Sequence, residues 1–389
     1  MAPTTPLLTP THLGKRPLPH RLAMAPLTRN RAEPDGVPSA MMAEYYTQRA
    51  SAGLIIAEAT TPNATGRTYP NIPGIHTGPQ IEGWRRVTDA VRAAGGTMFL
   101  QLQHGGRVGH PDTSGYVPVA PSPIPLPEPI HTPTGRQPAV MPRELTKDGI
   151  RETIADFARA ARNAMAAGFS GVEVHSANGH LLHQFLAANT NTRTDEYGGP
   201  AGNRVRFTVD VTRAVAEAIG AENVGLRISP GNTVNGIAET DTDTLYPALA
   251  ETLSGDGLAY LHLTTMNHDH PLFPRLRALW PGTLIGNPAL GATVPADGGQ
   301  RAAEQLLAAG ADLVALGRAF LANPDLVARI RRGAPLNEVR DALMMYTGGE
   351  RGYLDYPTLD GPSLYQPSPD RPAPGQTSDD RYADVFSGS

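Results

Sequence analysis

The residues of this chain that could do chemistry follow short apolar runs. Met24-Ala25-Pro26-Leu27-Thr28-Arg29 closes one run, Glu58-Ala59-Thr60 a second and Gln101-Leu102-Gln103-His104 a third. His175-Ser176-Ala177-Asn178-Gly179-His180 closes a fourth and Arg227 stands in a fifth, while Gly286-Asn287 and Gly317-Arg318 end two later ones. The set holds no metal cage and no nucleophile with a base beside it. It is rich in neutral hydrogen-bonding groups and carries two arginines. Such groups suit an organic cofactor better than hydrolysis, because a cofactor brings its own reactivity and asks the protein for orientation and electrostatics. A lone histidine such as His175 could equally be a satisfied core residue.

The elements that must position these groups can be read from the same runs. Apolar or β-branched segments at 22–25, 54–60, 97–103, 171–176, 223–229, 259–265, 283–287 and 313–317 predict eight strands. Several are near-continuously apolar, as strands buried on both faces should be. Alanine-rich segments at 39–50, 80–94, 148–167, 204–219, 241–253, 298–309 and 324–332 predict helices, with Gly168, Gly220 and Gly310 as C-caps of three. Alternating strands and helices imply parallel pairing, and the eightfold alternation favours a closed (β/α)₈ TIM barrel. An open doubly wound sheet would carry Gly-x-Gly-x-x-Gly after its first strand, and none is there. In a barrel the functional side chains gather at the C-terminal ends of the strands, and the loops after strands seven and eight commonly hold phosphate. Gly286, Asn287, Gly317 and Arg318 are therefore the expected phosphate cradle, the alternative being that Arg318 merely opens a short helix.

Two stretches leave the repeat. Residues 108–143 are rich in Pro, Ser and Gly and follow the third strand, which predicts a lid or capping excursion over the active-site face. Residues 1–360 would form the barrel, and the Pro/Ser/Asp-rich tail at 361–389 is expected to be disordered.

Composition narrows the classes. The 389 residues are 40% apolar with a net charge of −4, which gives no basic footprint for nucleic acid. With no cysteine, disulfides, zinc–thiolate sites and iron–sulfur clusters are excluded. The proline-broken N-terminus lacks the apolar core of a signal peptide, and no apolar run is long enough for a membrane span. A cytoplasmic protein, monomeric or a small homo-oligomer, is expected.

Five motifs in order carry a more specific likeness. Arg21-Leu22-Ala23-Met24-Ala25-Pro26-Leu27-Thr28-Arg29, His175-Ser176-Ala177-Asn178-Gly179, Asn191-Thr192-Arg193-Thr194-Asp195-Glu196-Tyr197-Gly198-Gly199, Asn323-Pro324-Asp325-Leu326 and Gly352-Tyr353-Leu354-Asp355-Tyr356-Pro357 resemble the old yellow enzyme family of FMN-dependent ene-reductases. Thr28 stands where another branch has Cys and marks the main branch. The resemblance implies tightly bound, non-covalent FMN, reduction by NAD(P)H with NADPH favoured, and hydride transfer from flavin N5 to the C=C bond of an α,β-unsaturated carbonyl or similar activated alkene. It implies that Pro26, Leu27, Thr28, Ala59, Gln101 and Arg227 hold the flavin ring and that Gly286, Asn287, Gly317 and Arg318 hold its phosphate. His175 and Asn178 would donate to the acceptor oxygen, stabilising the enolate as an oxyanion hole does. Tyr69 and Tyr346 would wall the substrate cavity.

Two positions depart from the family. His180 replaces a tyrosine that gives a proton to Cα, and Gln103 replaces a tryptophan. His180 is accordingly a candidate acid, with solvent as the alternative source, and Gln103 predicts a pocket for a bulkier or more polar substrate. The departures also leave open a second reading, in which the scaffold serves a dedicated biosynthetic redox or isomerisation step.

Overall fold

The computed structural model describes residues 5–291, 293–340 and 342–361. All eight expected strands form: β1 (Leu22–Met24), β2 (Leu54–Thr60), β3 (Met98–Leu102), β4 (Gly171–Ser176), β5 (Val224–Ile228), β6 (Tyr260–Thr264), β7 (Leu284–Asn287) and β8 (Leu313–Leu316). Each pairs in parallel with the next, and β8 returns to β1 with Leu316 opposite Met24, so the sheet closes into a barrel.

Alternation along the strands sorts the side chains. Ala23, Leu54, Ile56, Phe99, Tyr260, Ile285, Leu313 and Ala315 fill the lower barrel as one cluster. Their neighbours Met24, Ile55, Leu100, Val172, Leu226, Leu261 and Val314 pack outward against the helices. Two glycines make the lower plug possible. A Cβ on Gly171 would lie 2.5 Å from Phe99, and one on Gly225 would lie 2.2 Å from the Tyr260 ring. The two aromatic rings, 5.8 Å apart, occupy the space those side chains would take. A hairpin of Thr11–Leu13 and Arg16–Leu18 closes the bottom with Leu13 and Leu18.

The outer helices are α1 (Ala40–Gln48), α2 (Gly78–Ala93), α3 (Lys147–Ala166), α4 (Arg206–Ile219), α5 (Thr242–Leu253), α6 (Leu272–Leu279), α7 (Gln300–Ala308) and α8 (Leu326–Arg332). Helix α6 is not foreseen by the sequence reading. It has 8 residues and carries Pro271 at its N-cap and Pro274 in its first turn. There a missing N–H breaks no helical bond, so prolines that read as breakers are tolerated. The expected fourth helix starts earlier, as a separate turn at Ala201–Arg204. Gly168, Gly220 and Gly310 all end their helices at positive φ.

After β3 the chain makes its excursion through a turn at Gly106–Val108, a short helix Pro111–Ser114 and a hairpin of Ile130–Thr132 with Gly135–Gln137. Val119–Ala120 pairs with Arg143–Glu144 at its base. Arg193 anchors that base, donating to the carbonyls of Pro121 and Leu145 while Asp195 neutralises it at 2.6 Å. The expected disordered tail, apart from Gly361, lies outside the described residues. No helix among the described residues is long and apolar enough to cross a membrane.

Candidate active site

Above the apolar plug the barrel interior turns polar. In register, Gln101 stands opposite Glu173, His175 opposite Arg227, Arg227 opposite His262 and Thr264 opposite Asn287. Four strands thus each place one polar residue between apolar ones: Leu-Gln-Leu, Val-Glu-Val, Leu-Arg-Ile and Leu-His-Leu.

Glu173 sits at the centre, fully buried. It accepts from Gln101 Nε2 and from His262 Nδ1, each at 2.8 Å. Burial pushes its carboxyl up, but His262, Arg227 and the Gln101 amide outweigh that and hold it below the ordinary carboxylate range. Gln101 Nε2 also lies 3.1 Å from His175 Nδ1, and His175 Nε2 lies 3.2 Å from His180 Nδ1. Burial, then the neighbouring His180 and Arg227, push the His175 imidazole well below its usual range. Burial likewise takes His180 down to about 4, against a weaker opposing pull from the Ala177 carbonyl. Both rings are neutral at physiological pH.

Arg227 is oriented from one side. Its Nη2 donates to Thr264 Oγ1 at 2.9 Å and to Asn287 Oδ1 at 2.8 Å, while its Nε is buried without a protein partner. Thr264 Oγ1 donates to the same Asn287 oxygen at 3.0 Å, and Asn287 Nδ2 donates to the Ala315 carbonyl at 3.1 Å. The Asn287 side chain is therefore committed to holding Arg227.

The turn after β4 is held just as tightly. Asn178 adopts φ 54°, a left-handed conformation that Asn tolerates better than most residues. Its N–H donates to Ser229 Oγ at 2.8 Å and its carbonyl accepts from Asn235 Nδ2 at 2.8 Å. The Gly179 N–H donates to His183 Nδ1 at 3.0 Å, and His183 in turn meets Glu239 and Tyr246. Gln184 ties the Gly179 carbonyl to Gly105 and Arg107 of the loop after β3. Asn178 Oδ1 and His180 Nε2 remain buried without protein partners.

Three more of the expected residues come from loops. The buried Gln103 donates to Thr68 Oγ1 at 3.0 Å, next to Tyr69. The Tyr69 hydroxyl bonds the Asn235 side chain, and burial followed by the nearby Tyr346 pushes it up. Tyr346 also stands near Arg318, whose guanidinium donates to the Gly291 carbonyl. Pro26 and Ala59 are buried, and Leu27 and Thr28 are half-buried. A Cβ on Gly317 would lie 3.3 Å from Leu27, and one on Gly286 would lie 3.1 Å from Leu306 of α7. These two glycines admit leucine side chains as well as leaving the backbone bare.

The loop bearing Thr28 is fastened to the far end of the chain. Arg29, beside the stacked rings of Tyr45 and Tyr353, donates to the carbonyls of Met345 and Gly352. Arg31 donates to Met344, Met345 and Thr347, and Arg49 to Phe320 and Leu321. Glu58 is the carboxylate beside them, accepting from the Arg29 N–H and from Tyr46, with burial raising its carboxyl to about 7. Tyr346 and Thr28 are thus placed by one buried cluster.

Sequence reasoning selected Gln101 and Arg227 but missed Glu173, His262 and Thr264, although a lone polar residue inside an apolar strand marks all but the last. His183 and Gln184 follow the motif on the next short helix, and their bonds fix the Asn178–Gly179 turn.

The family described as NADH:flavin oxidoreductase / NADH oxidase matches residues 6–337. The chain is 41% identical over 365 residues to a probable flavin mononucleotide-dependent alkene reductase of Leishmania infantum, covering 91% of this chain and 97% of that protein. It is 41% identical to 12-oxophytodienoate reductase 1 of Oryza sativa subsp. japonica, covering 92% and 94%. Among solved structures, morphinone reductase in complex with tetrahydroNAD superposes with a TM-score of 0.85 at 43% identity, covering 92% and 98%.

Proposed function

The chain belongs to the NADH:flavin oxidoreductase / NADH oxidase family, and from that premise we propose that it is an FMN-dependent reductase of alkenes conjugated to a carbonyl or a similar activating group, driven by a reduced nicotinamide. The polar belt at the C-terminal ends of the strands carries the reading. The residues present fit FMN. Arg227 Nε is a buried donor that the protein itself leaves unpartnered, so an acceptor on a bound ring accounts for it. When bound, FMN supplies the hydride for the alkene carbon β to the carbonyl, and NAD(P)H replaces it.

The protein's part is placement and charge. Arg227, held by Thr264 and Asn287, sets a fixed cation where the ring's pyrimidine edge gathers negative charge. Gln101 turns its NH₂ toward Glu173, which leaves its carbonyl oxygen for a ring N–H. Pro26, Leu27, Thr28 and Ala59 border the ring. Gly286, Asn287, Gly317 and Arg318 serve the phosphate, Asn287 through its backbone because its side chain is committed elsewhere. As charge builds on the substrate oxygen, Asn178 and the His175–His180 pair donate to it. Water supplies the proton at Cα. Burial keeps His180 neutral, and a neutral imidazole is a much weaker acid than the phenol it replaces.

Tyr69, Gln103 and Tyr346 form the walls, and Gln103 opens the pocket to bulkier or more polar substrates. NADPH is the preferred reductant, the 108–143 excursion covers the site, and the protein works in the cytoplasm as a monomer or small homo-oligomer. Nothing observed favours an isomerisation or desaturation over reduction, and the relatives compared above include named reductases.

Anaerobic stopped flow on the purified yellow protein tests the reading. NADPH, and more slowly NADH, should bleach the flavin, and an enone should restore its colour. A protein that takes up no FMN, or whose FMN neither nicotinamide reduces, would remove the proposal.

A further inference from the structure

The belt contains a hydrogen-bond chain with only one consistent direction. A carboxylate only accepts, so Gln101 must face Glu173 with its NH₂ group; the flipped amide would set two acceptor oxygens 2.8 Å apart. The same NH₂ then meets His175 Nδ1 at 3.1 Å, which requires that nitrogen to be bare. The ring proton of neutral His175 is therefore on Nε2, where His180 Nδ1 takes it at 3.2 Å. His180 in turn must carry its proton on Nε2, the one relay nitrogen that is buried with no protein partner. A second donor, His262 Nδ1–H, occupies the other Glu173 oxygen at 2.8 Å and closes the inner end.

We infer that Glu173 is a positioning residue that fixes the tautomers of His175 and His180 through Gln101, so that the imidazole N–H offered to the substrate oxygen is that of His180. The inference rests on the proposed reductase for its substrate, but the tautomers belong to the protein alone. His175 spends its only proton on His180, so its donor role passes one ring outward. A residue at position 180 that cannot accept would return that proton to His175.

The test is long-range ¹H–¹⁵N correlation NMR on the full-length protein, labelled with ¹⁵N-histidine and saturated with FMN, at neutral pH. His180→Phe identifies the His180 signals. Both rings should show bare Nδ1 and protonated Nε2. In Glu173→Gln the amide of Gln101 is free to turn, and both rings should show mixed tautomers. Should that variant fold poorly, Gln101→Leu cuts the relay one link further out and should have the same effect. Protonated Nδ1 on either ring of the wild type, or unchanged tautomers in both relay variants, overturns the inference even if the protein is yellow and active. A colourless protein with the expected tautomers supports the relay and removes the FMN reading instead.

Discussion

Asn287→Ala tests whether Arg227 must be held in place for the site to work. The Asn287 oxygen accepts from the Arg227 guanidinium at 2.8 Å and from Thr264 at 3.0 Å, and its amide donates to Ala315 at 3.1 Å. Alanine removes all three contacts and leaves Thr264 as the remaining neutral anchor of a cation that is only 5% exposed. A hydrogen bond to a charged group contributes about 1.5–3 kcal/mol. If that sum is what keeps Arg227 pointed at the cofactor, FMN should bind about 10- to 150-fold more weakly. Because the cation also favours negative charge on the ring, the flavin midpoint potential should fall as well. Arg318→Ala is the control: it should weaken FMN binding without moving the potential. Fluorescence titration of apoprotein with FMN gives the affinity, and an anaerobic spectral titration gives the potential. An Asn287→Ala protein that binds FMN within twofold of wild type, at an unchanged potential, would refute the reasoning.

Acid should destabilise the protein through its buried imidazoles. His104 and His180 fall from 6.5 to about 4 on folding, so the unfolded chain binds more protons between those values. Their contribution is complete above pH 6.5 and is lost as pH falls toward 4, by about 3 kcal/mol for each ring. Urea midpoints against pH should show a shallower acid limb in His180→Phe, and an unaltered limb would count against the shift. Glu58 works in the opposite sense: with its carboxyl raised to about 7, it favours the folded state below about pH 4.5 and loses that contribution as pH rises through 7. Gly225→Ala should destabilise by about 1–3 kcal/mol, since its Cβ would meet Tyr260 at 2.2 Å. Adding Tyr260→Leu should recover much of that loss, and strict additivity of the two in urea denaturation would exclude the clash.

Much of the architecture was legible because a barrel strand is an unusually plain signal. Runs such as Leu-Ile-Ile-Ala in β2 and Leu-Val-Ala-Leu in β8 are apolar on both faces, and only burial on both sides explains them. The His175 turn was legible through its residue types. Helix α6 was hidden because prolines count against a helix in any local reading, although they are harmless in its first turn. The wiring of the site was hidden for another reason. The partners of Gln101, Asn178 and Arg227 are residues such as Glu173, Ser229 and Asn287, up to 72 positions away, and only strand register brings them together. Arg29, Arg31 and Arg49 were unreadable as a group. Apart from Tyr45 and Tyr353 their partners are mostly backbone carbonyls, which any residue could supply.

Those three arginines also set a timetable. Their distant carbonyl partners lie 271–323 residues downstream, and the last strand of the barrel must arrive before the first has both neighbours. A ribosome has therefore made nearly the whole chain before the segment around Thr28 can take its final shape. Until then the guanidiniums stay hydrated and the pigment has no finished berth. Nascent chains stalled before Met344 should remain colourless with FMN present, whereas released full-length chains should turn yellow.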